Sequence, residues 1–301
     1  MRRFYPLFSV FIPMTEHIAS LADLRHEIDV LDDQIQDLLR RRAEAVEKVA
    51  VTKRASGLTD GAFLKPGREA QILRRLMARH HGPLPRAAMA RINRELIGAL
   101  YELQAPVRVA VLAPNKSVAR WDLARDHFGA TVPMTLCSTA SSAMRAISAE
   151  PAGVGVLPLP EDGERDPWWP MLANRGADTP RVVGLLPFIP NPRGRLADLG
   201  AFLIARCPAE ASGDDRSLVV LRLSDDAISL DRLGQLLAQA DLPGWRLLTQ
   251  HRDSEPTTRM LLEAPGFIAP DDARIAALVA AGAGAIADAV VIGAYAMPLS
   301  D

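Results

Sequence analysis

The sequence predicts a multidomain chain: an all-α N-terminal domain of three helices, then an α/β single lobe, then a βαββαβ ferredoxin-like domain. Three observations carry this. Residues 21–53 contain no Gly or Pro and place Leu24, Ile28, Leu31, Ile35, Leu38, Ala45 and Val49 in steps of three, four and seven, a heptad seam. After Pro106 the pattern changes to short apolar runs alternating with helical ones. From residue 217 onward the order strand, helix, strand, strand, helix, strand is regular.

Taken in order, residues 1–18 read as a flexible extension. Their basic start and apolar run mimic a leader, but Pro6 and Pro13 break the run and no small-x-small cleavage site follows. Residues 19–104 form the helical domain. Its first helix, 21–53, would be about 50 Å long, more than a small domain covers by itself, so a partner chain is expected along the seam. Gly57, Gly61, Pro66 and Gly67 mark a loop. A second helix covers 69–80, with Ile72, Leu73, Leu76 and Met77 on one face. A third covers 86–104, with Met89, Ile92, Leu96, Leu100 and Leu103 as its stripe. The α/β lobe spans 107–208, with strands at 107–112, 131–136, 154–157 and 202–205 and helices at 118–128 and 141–149. Residues 160–198 are rich in Pro and Gly, and Trp168-Trp169 within them read as local packing. Gly213-Asp214-Asp215 reads as a linker. The last domain, 214–299, has strands at 217–223, 245–251, 258–263 and 289–295 and helices at 230–240 and 271–281.

Composition narrows the function classes. The 301 residues are 49% hydrophobic and 24% charged, with a formal net charge of -1, which excludes a disordered chain and a basic nucleic-acid binder. No apolar window reaches membrane-spanning length. Cys137 and Cys207 form no C-x-x-C pattern, which speaks against a zinc ribbon or a disulfide framework and fits a reducing, cytoplasmic location. His80-His81 closes a helix without an i, i+4 ligand pair, so no metal is expected. Asn115-Lys116-Ser117 reads as a helix cap.

The chemistry concentrates in the helical segment. Arg42 occupies a seam position where an apolar residue is due, and a buried guanidinium is costly unless an anion meets it. Lys53 lies eleven residues further, about three turns along the same helix, so both can serve one site. Arg25 is about 25 Å from Arg42 along the helix, too far to share a site within one chain, but an antiparallel dimer would bring it to the partner's site. Arg68 and Glu69 open the second helix, and Gln104 ends the third on a face with Ile97 and Leu100. The implied ligand is small and polyanionic.

These residues, with Leu21-Ala22-Asp23-Leu24-Arg25, Ile28, Leu31-Asp32, Ile35, Leu38-Leu39, Val46 and Val49, resemble the all-helical chorismate mutases over about residues 19–104. The resemblance implies an intertwined homodimer that takes chorismate and needs no cofactor. It implies that Arg25 reaches the other copy's site and that Arg42 and Arg68 bind substrate carboxylates. Lys53 would meet a carboxylate and the ether oxygen, Glu69 would hold the ring hydroxyl, and Gln104 would donate to the ether oxygen. Lys65 stands where an acidic residue is often found, and Leu100 where a small hydroxyl residue is often found. The remaining segments resemble a bifunctional mutase/prephenate dehydratase with a C-terminal ACT-like domain, carried by Val109-Ala110-Val111-Leu112-Ala113-Pro114, Gly153-Val154-Gly155-Val156-Leu157-Pro158 and Val291-Ile292-Gly293-Ala294-Tyr295.

Departures from that pattern matter. About 100 residues suffice for one dehydratase lobe rather than two. Gly200-Ala201-Phe202 stands where the family's Thr-Arg-Phe supplies catalytic donors. Ile228-Ser229-Leu230 and Gln250-His251-Arg252-Asp253 replace the Gly-Ala-Leu and Glu-Ser-Arg-Pro of phenylalanine-binding domains. The expected activity is therefore chorismate mutase, an isomerase, without dehydratase activity or phenylalanine sensing. The alternatives are an isochorismate pyruvate-lyase and a noncatalytic metabolite-binding regulatory protein.

Overall fold

A computed structural model describes residues 20–57, 63–114, 118–176, 178–190, 196–207, 210–224, 228–252 and 257–299. The expected extension 1–18 and the Asn115-Lys116-Ser117 cap lie outside the described residues. The chain divides into two compact units, one ending at Ala45 and one starting at Val46.

The first unit is the leading part of helix α1 (Leu21–Ala55). A reciprocal cap starts it: the Asp23 backbone N–H donates to Ser20 Oγ at 3.1 Å, and the Ser20 N–H donates to Asp23 Oδ2 at 3.1 Å. The absence of Gly and Pro lets the helix continue to Ala55, where Gly57 at φ 75 follows the last turn. Its seam is exposed, with Leu24 at 45%, Ile28 at 56% and Leu38 at 59%.

The second unit contains the end of α1, then α2 (Pro66–Ala78), α3 (Arg86–Tyr101) and one nine-stranded sheet. The strands are β1 (Arg108–Leu112), β2 (Met134–Cys137), β3 (Gly153–Pro158), β4 (Arg181–Leu186), β5 (Ala201–Ala205), β6 (Asp215–Leu223), β7 (Arg246–Arg252), β8 (Thr258–Pro265) and β9 (Ile286–Ala296). The helices among them are α4 (Val118–Phe128), α5 (Ala140–Ala149), α6 (Leu230–Gln239) and α7 (Ala273–Ala281). The sheet order is β2-β1-β3-β5-β4-β9-β6-β8-β7. β1 is parallel to β2 and β3, and β5 is antiparallel to β3 and β4. The last four strands are antiparallel in the order β9-β6-β8-β7, the arrangement a βαββαβ chain forms when its two crossovers interleave.

The expected lobe and C-terminal domain therefore share one sheet. They meet at a single parallel pair, Val182 opposite Gly293. Glycine is required there, because Gly293 has φ 144 and a Cβ would lie 2.1 Å from the Val182 carbonyl oxygen. β4 was hidden in the sequence, since its short run is flanked by Pro180 and Pro187 inside the Pro/Gly-rich stretch read as irregular.

Strand alternation sorts side chains to two faces. Val109, Val111, Val154 and Leu203 pack with Leu73 of α2, Ile97 and Tyr101 of α3 and Phe128 of α4. Ala110, Phe202 and Ile204 point the other way, into a core with Ile147 of α5, Trp168, Trp169 and Leu218, Val220 and Ile292 of the last four strands. Both tryptophans are 1% exposed, and Trp168 Nε1 donates to the Pro158 carbonyl at 3.0 Å, so they are packing residues. Helices α6 and α7 cover the opposite face of β6, β8 and β9 through Leu233, Leu236 and Leu278.

Two readings from the sequence are corrected. The buried face of α3 is Ala90, Arg94, Ile97, Gly98, Leu100 and Tyr101, whereas Ile92 of the expected stripe is 55% exposed. The small residues decide this: a Cβ on Gly98 would lie 1.8 Å from the Phe128 carbonyl oxygen, so α3 and α4 approach through a glycine that the aliphatic pattern concealed. The second correction concerns Gly213-Asp214-Asp215, which is a pinned junction rather than a linker. Asp215 is buried and accepts from the Ser212 N–H at 2.8 Å and its hydroxyl at 2.6 Å. Arg74 of α2 donates to Ser212 Oγ and to the carbonyls of Asp214 and Met297, each at 2.9 Å. Arg74→Ala strands these acceptors at a partly buried seam and should cost about 2 kcal/mol. A urea titration checks it: the midpoint should fall with the slope unchanged, and an unchanged midpoint would show the junction is held without Arg74.

Candidate active site

Arg25 and Arg42 belong to the first unit. Arg25 is exposed, whereas Arg42 is half-buried, its Nη1 is buried, and that nitrogen has no hydrogen-bond partner among the described residues. Burial holds the Arg42 pKa below the usual arginine value.

Lys53, Arg68, Glu69 and Gln104 belong to the second unit. Lys53 is half-buried, with Nζ 4.9 Å from the Phe63 ring centroid. Burial first and the nearby Lys65 second depress its pKa, while Glu210 opposes them. Lys65, at the position often acidic in the family, pairs with Glu210 at 2.5 Å. Arg54, the residue after Lys53, donates to the Gln104 carbonyl at 2.7 Å and so fixes the end of α1 against the turn after α3. The Gln104 side-chain amide makes one long contact, 3.5 Å to the Leu100 carbonyl.

Arg68 and Glu69 sit in the first turn of α2, which Pro66 starts and where negative charge is favoured by the helix dipole. Arg68 is exposed, its Nη1 3.4 Å from Gln71 Oε1. Glu69 is turned inward. Its Oε1 accepts from the Tyr101 hydroxyl at 2.6 Å and its Oε2 from Arg94 Nη1 at 3.1 Å. Burial raises the Glu69 pKa, and the Arg94 charge and the Tyr101 hydrogen bond oppose that rise. Burial and then the Glu69 charge push the Tyr101 pKa well up, so the phenol remains a donor.

Among the described residues, no hydrogen bond or ion pair joins any two of Lys53, Arg68, Glu69 and Gln104. Their hydrogen-bond partners are separate: Arg54 for the Gln104 carbonyl, Arg94 and Tyr101 for Glu69, and Gln71 for Arg68. Arg94 and Tyr101 were not anticipated from the sequence. The available signal was of the same kind as at Arg42: an arginine on a helix face otherwise made of Ala90, Ile97 and Gly98. No group of three or more metal-ligating side chains occurs among the described residues. His80 Nε2 instead lies 2.8 Å from the Leu84 carbonyl.

Residues 24–105 match the family model of chorismate mutase type II. The N-terminal region thus carries a domain of the chorismate mutase type II family. The bifunctional chorismate mutase/prephenate dehydratase of Stutzerimonas stutzeri is 34% identical over 146 residues, covering 48% of this chain and 40% of that protein. The protein of the same description from Pseudomonas aeruginosa is 32% identical over 147 residues, again 48% of this chain and 40% of that one. The chain therefore aligns with well under half the length of these curated relatives. Among solved structures, prephenate dehydratase from Streptococcus mutans superposes with a TM-score of 0.42 at 11% identity, covering 64% of this chain and 98% of that one. No described helix is long and apolar enough to cross a membrane.

Proposed function

We propose that the chain converts chorismate to prephenate as a homodimer, without a cofactor, and that it does not dehydrate prephenate. The match of residues 24–105 to chorismate mutase type II carries the reading. The rearrangement is intramolecular, so the protein has only to hold a compact dianion and to stabilise negative charge growing on the ether oxygen. Arg42 and Arg68 hold the carboxylates, Lys53 serves a carboxylate and the ether oxygen, Gln104 donates to the ether oxygen and Glu69 accepts from the ring hydroxyl. Arg25 completes the site of the other copy. The exposed apolar seam of α1 supports the dimer, because about 25 residues of uncovered heptad helix gain little stability alone.

The dehydratase half of the proposal rests on β5. Gly200 and Ala201, at the start of that strand, carry neither hydroxyl nor guanidinium. A Cβ at Gly200 would lie 2.6 Å from Leu159 Cδ1, so a side chain placed there would have to displace that leucine. Purified full-length protein should convert chorismate to prephenate and leave prephenate at its spontaneous rate near neutral pH. Turnover of isochorismate instead of chorismate would replace the mutase reading with a lyase. Protein-dependent phenylpyruvate would overturn the second half of the proposal.

A further inference from the structure

Glu69 is held more completely than its expected role in contacting a hydroxyl requires. Its carboxylate meets one donor at each oxygen, Tyr101 at 2.6 Å and Arg94 at 3.1 Å, and the two donors are seven residues apart on α3, two turns along one face. The Glu69 and Arg94 side chains are 13% and 8% exposed. The guanidinium of Arg94 is stacked over Phe188, 5.6 Å from its ring centroid. Beside the trio lies a cavity of about 40 Å³ whose apolar walls include Phe128, Val154, Val183 and Leu203 from the α/β lobe. That space is the size of a few water molecules.

We propose that Arg94 and Tyr101 are positioning residues that fix Glu69 as an oriented hydrogen-bond acceptor, against an apolar wall supplied by the α/β lobe. The inference rests on the mutase reading only for what Glu69 accepts from. A carboxylate in such a place without partners would either take up a proton, becoming a donor where an acceptor is needed, or swing toward water. Two donors prevent both outcomes and still leave each oxygen a further lone pair for a substrate hydroxyl. The lobe thereby has a role in the mutase site that does not depend on dehydratase chemistry.

The charged neighbours are few. From α3 Glu69 faces Arg94 and Tyr101. Near Arg94 on α4 stands His127, which burial and the Arg94 charge keep neutral. After β5 comes Cys207, whose thiol burial pushes up to about 12, and beyond it the Lys65–Glu210 ion pair.

The test uses the full chain with Tyr101→Phe, Arg94→Met and Arg94→Lys. The carboxyl carbon of Glu69 is followed by NMR against pH, assigned by its loss in Glu69→Gln, and kcat/KM for chorismate is followed over the same range. Removing a hydrogen bond to the ionised form must raise its pKa. The Glu69 titration should move to higher pH in Tyr101→Phe and further in Arg94→Met, with Arg94→Lys restoring most of the shift. The acid limb of kcat/KM should move with it, and Tyr101→Phe should lose about tenfold at pH 7.5. A merely structural pair would move the carboxyl titration and lower the melting temperature while leaving the acid limb of kcat/KM in place. An unmoved Glu69 titration in Tyr101→Phe and Arg94→Met overturns the inference even if chorismate is turned over. A moved carboxyl titration with an unmoved acid limb of kcat/KM overturns the positioning role, and a moved carboxyl titration in a protein that does not turn over chorismate upholds the hydrogen bonds to Glu69 and sinks the mutase reading instead.

Discussion

Arg42→Ala should fold as the parent does and lose about a thousandfold in kcat/KM for chorismate, equivalent to about 4 kcal/mol of transition-state stabilisation. The magnitude follows from what the wild-type side chain lacks. Its Nη1 is buried and has no partner among the described residues, so the protein carries part of the cost of dehydrating a cation before substrate binds. A carboxylate at that nitrogen recovers the cost, and its removal leaves the substrate anion facing an uncharged cavity. Arg42→Lys should recover only part of the loss, because an ammonium cannot reproduce two parallel N–H bonds. The readouts are steady-state kinetics together with circular dichroism. Near-normal kcat/KM in a folded Arg42→Ala protein would remove Arg42 from the site and, with it, the reason to read the seam arginine as functional.

Why Arg42 was legible and Arg94 was not is a matter of background. In α1 the heptad seam is made of large aliphatics, so one guanidinium in it stands out, and the 35-residue helix needs no tertiary information to be recognised. In α3 two faces are apolar. The larger aliphatics, including Ile92, suggested one stripe, while the face that packs on the sheet uses Ala90 and Gly98, whose value lies in letting backbones approach. Small residues contribute little to a hydrophobic pattern, so Arg94 and Tyr101 were hidden with them. Their shared partner, Glu69, is 25 and 32 positions away, a pairing that only the α2–α3 contact reveals. The order of elements in the C-terminal βαββαβ segment was readable in the sequence, but its fusion to the lobe was not. The strands of the two segments pair at one position, Val182 with Gly293, which depends on a glycine whose φ is 144. Short-range pattern fixes the elements; close backbone approach, which leaves almost no compositional trace, fixes how they are joined.

Mixing two inactive variants should restore activity. If each site takes Arg42 from one copy and Arg25 from the other, Arg25→Ala and Arg42→Ala homodimers both lack a cation at every site. In a heterodimer the two lesions fall together in one site, and the other site receives both arginines intact. Random exchange at equal concentrations makes about half of the dimers mixed, so about a quarter of all sites, and about a quarter of wild-type kcat per chain, should return. The gain is measured from a background near zero, which makes it one of the largest effects the reading entails. The sequence geometry supports the arrangement: 17 residues of helix separate the two arginines by about 25 Å, beyond the span of one small dianion. The exposed Leu24, Ile28, Leu31, Ile35 and Leu38 supply the apolar seam along which a second copy would lie. Exchange is followed independently by mass-tagged subunits and native mass spectrometry, so that absence of recovery is not confused with absence of mixing. Heterodimers demonstrated in that way without any return of chorismate turnover would show that each site is built from one chain, and would remove Arg25 from it.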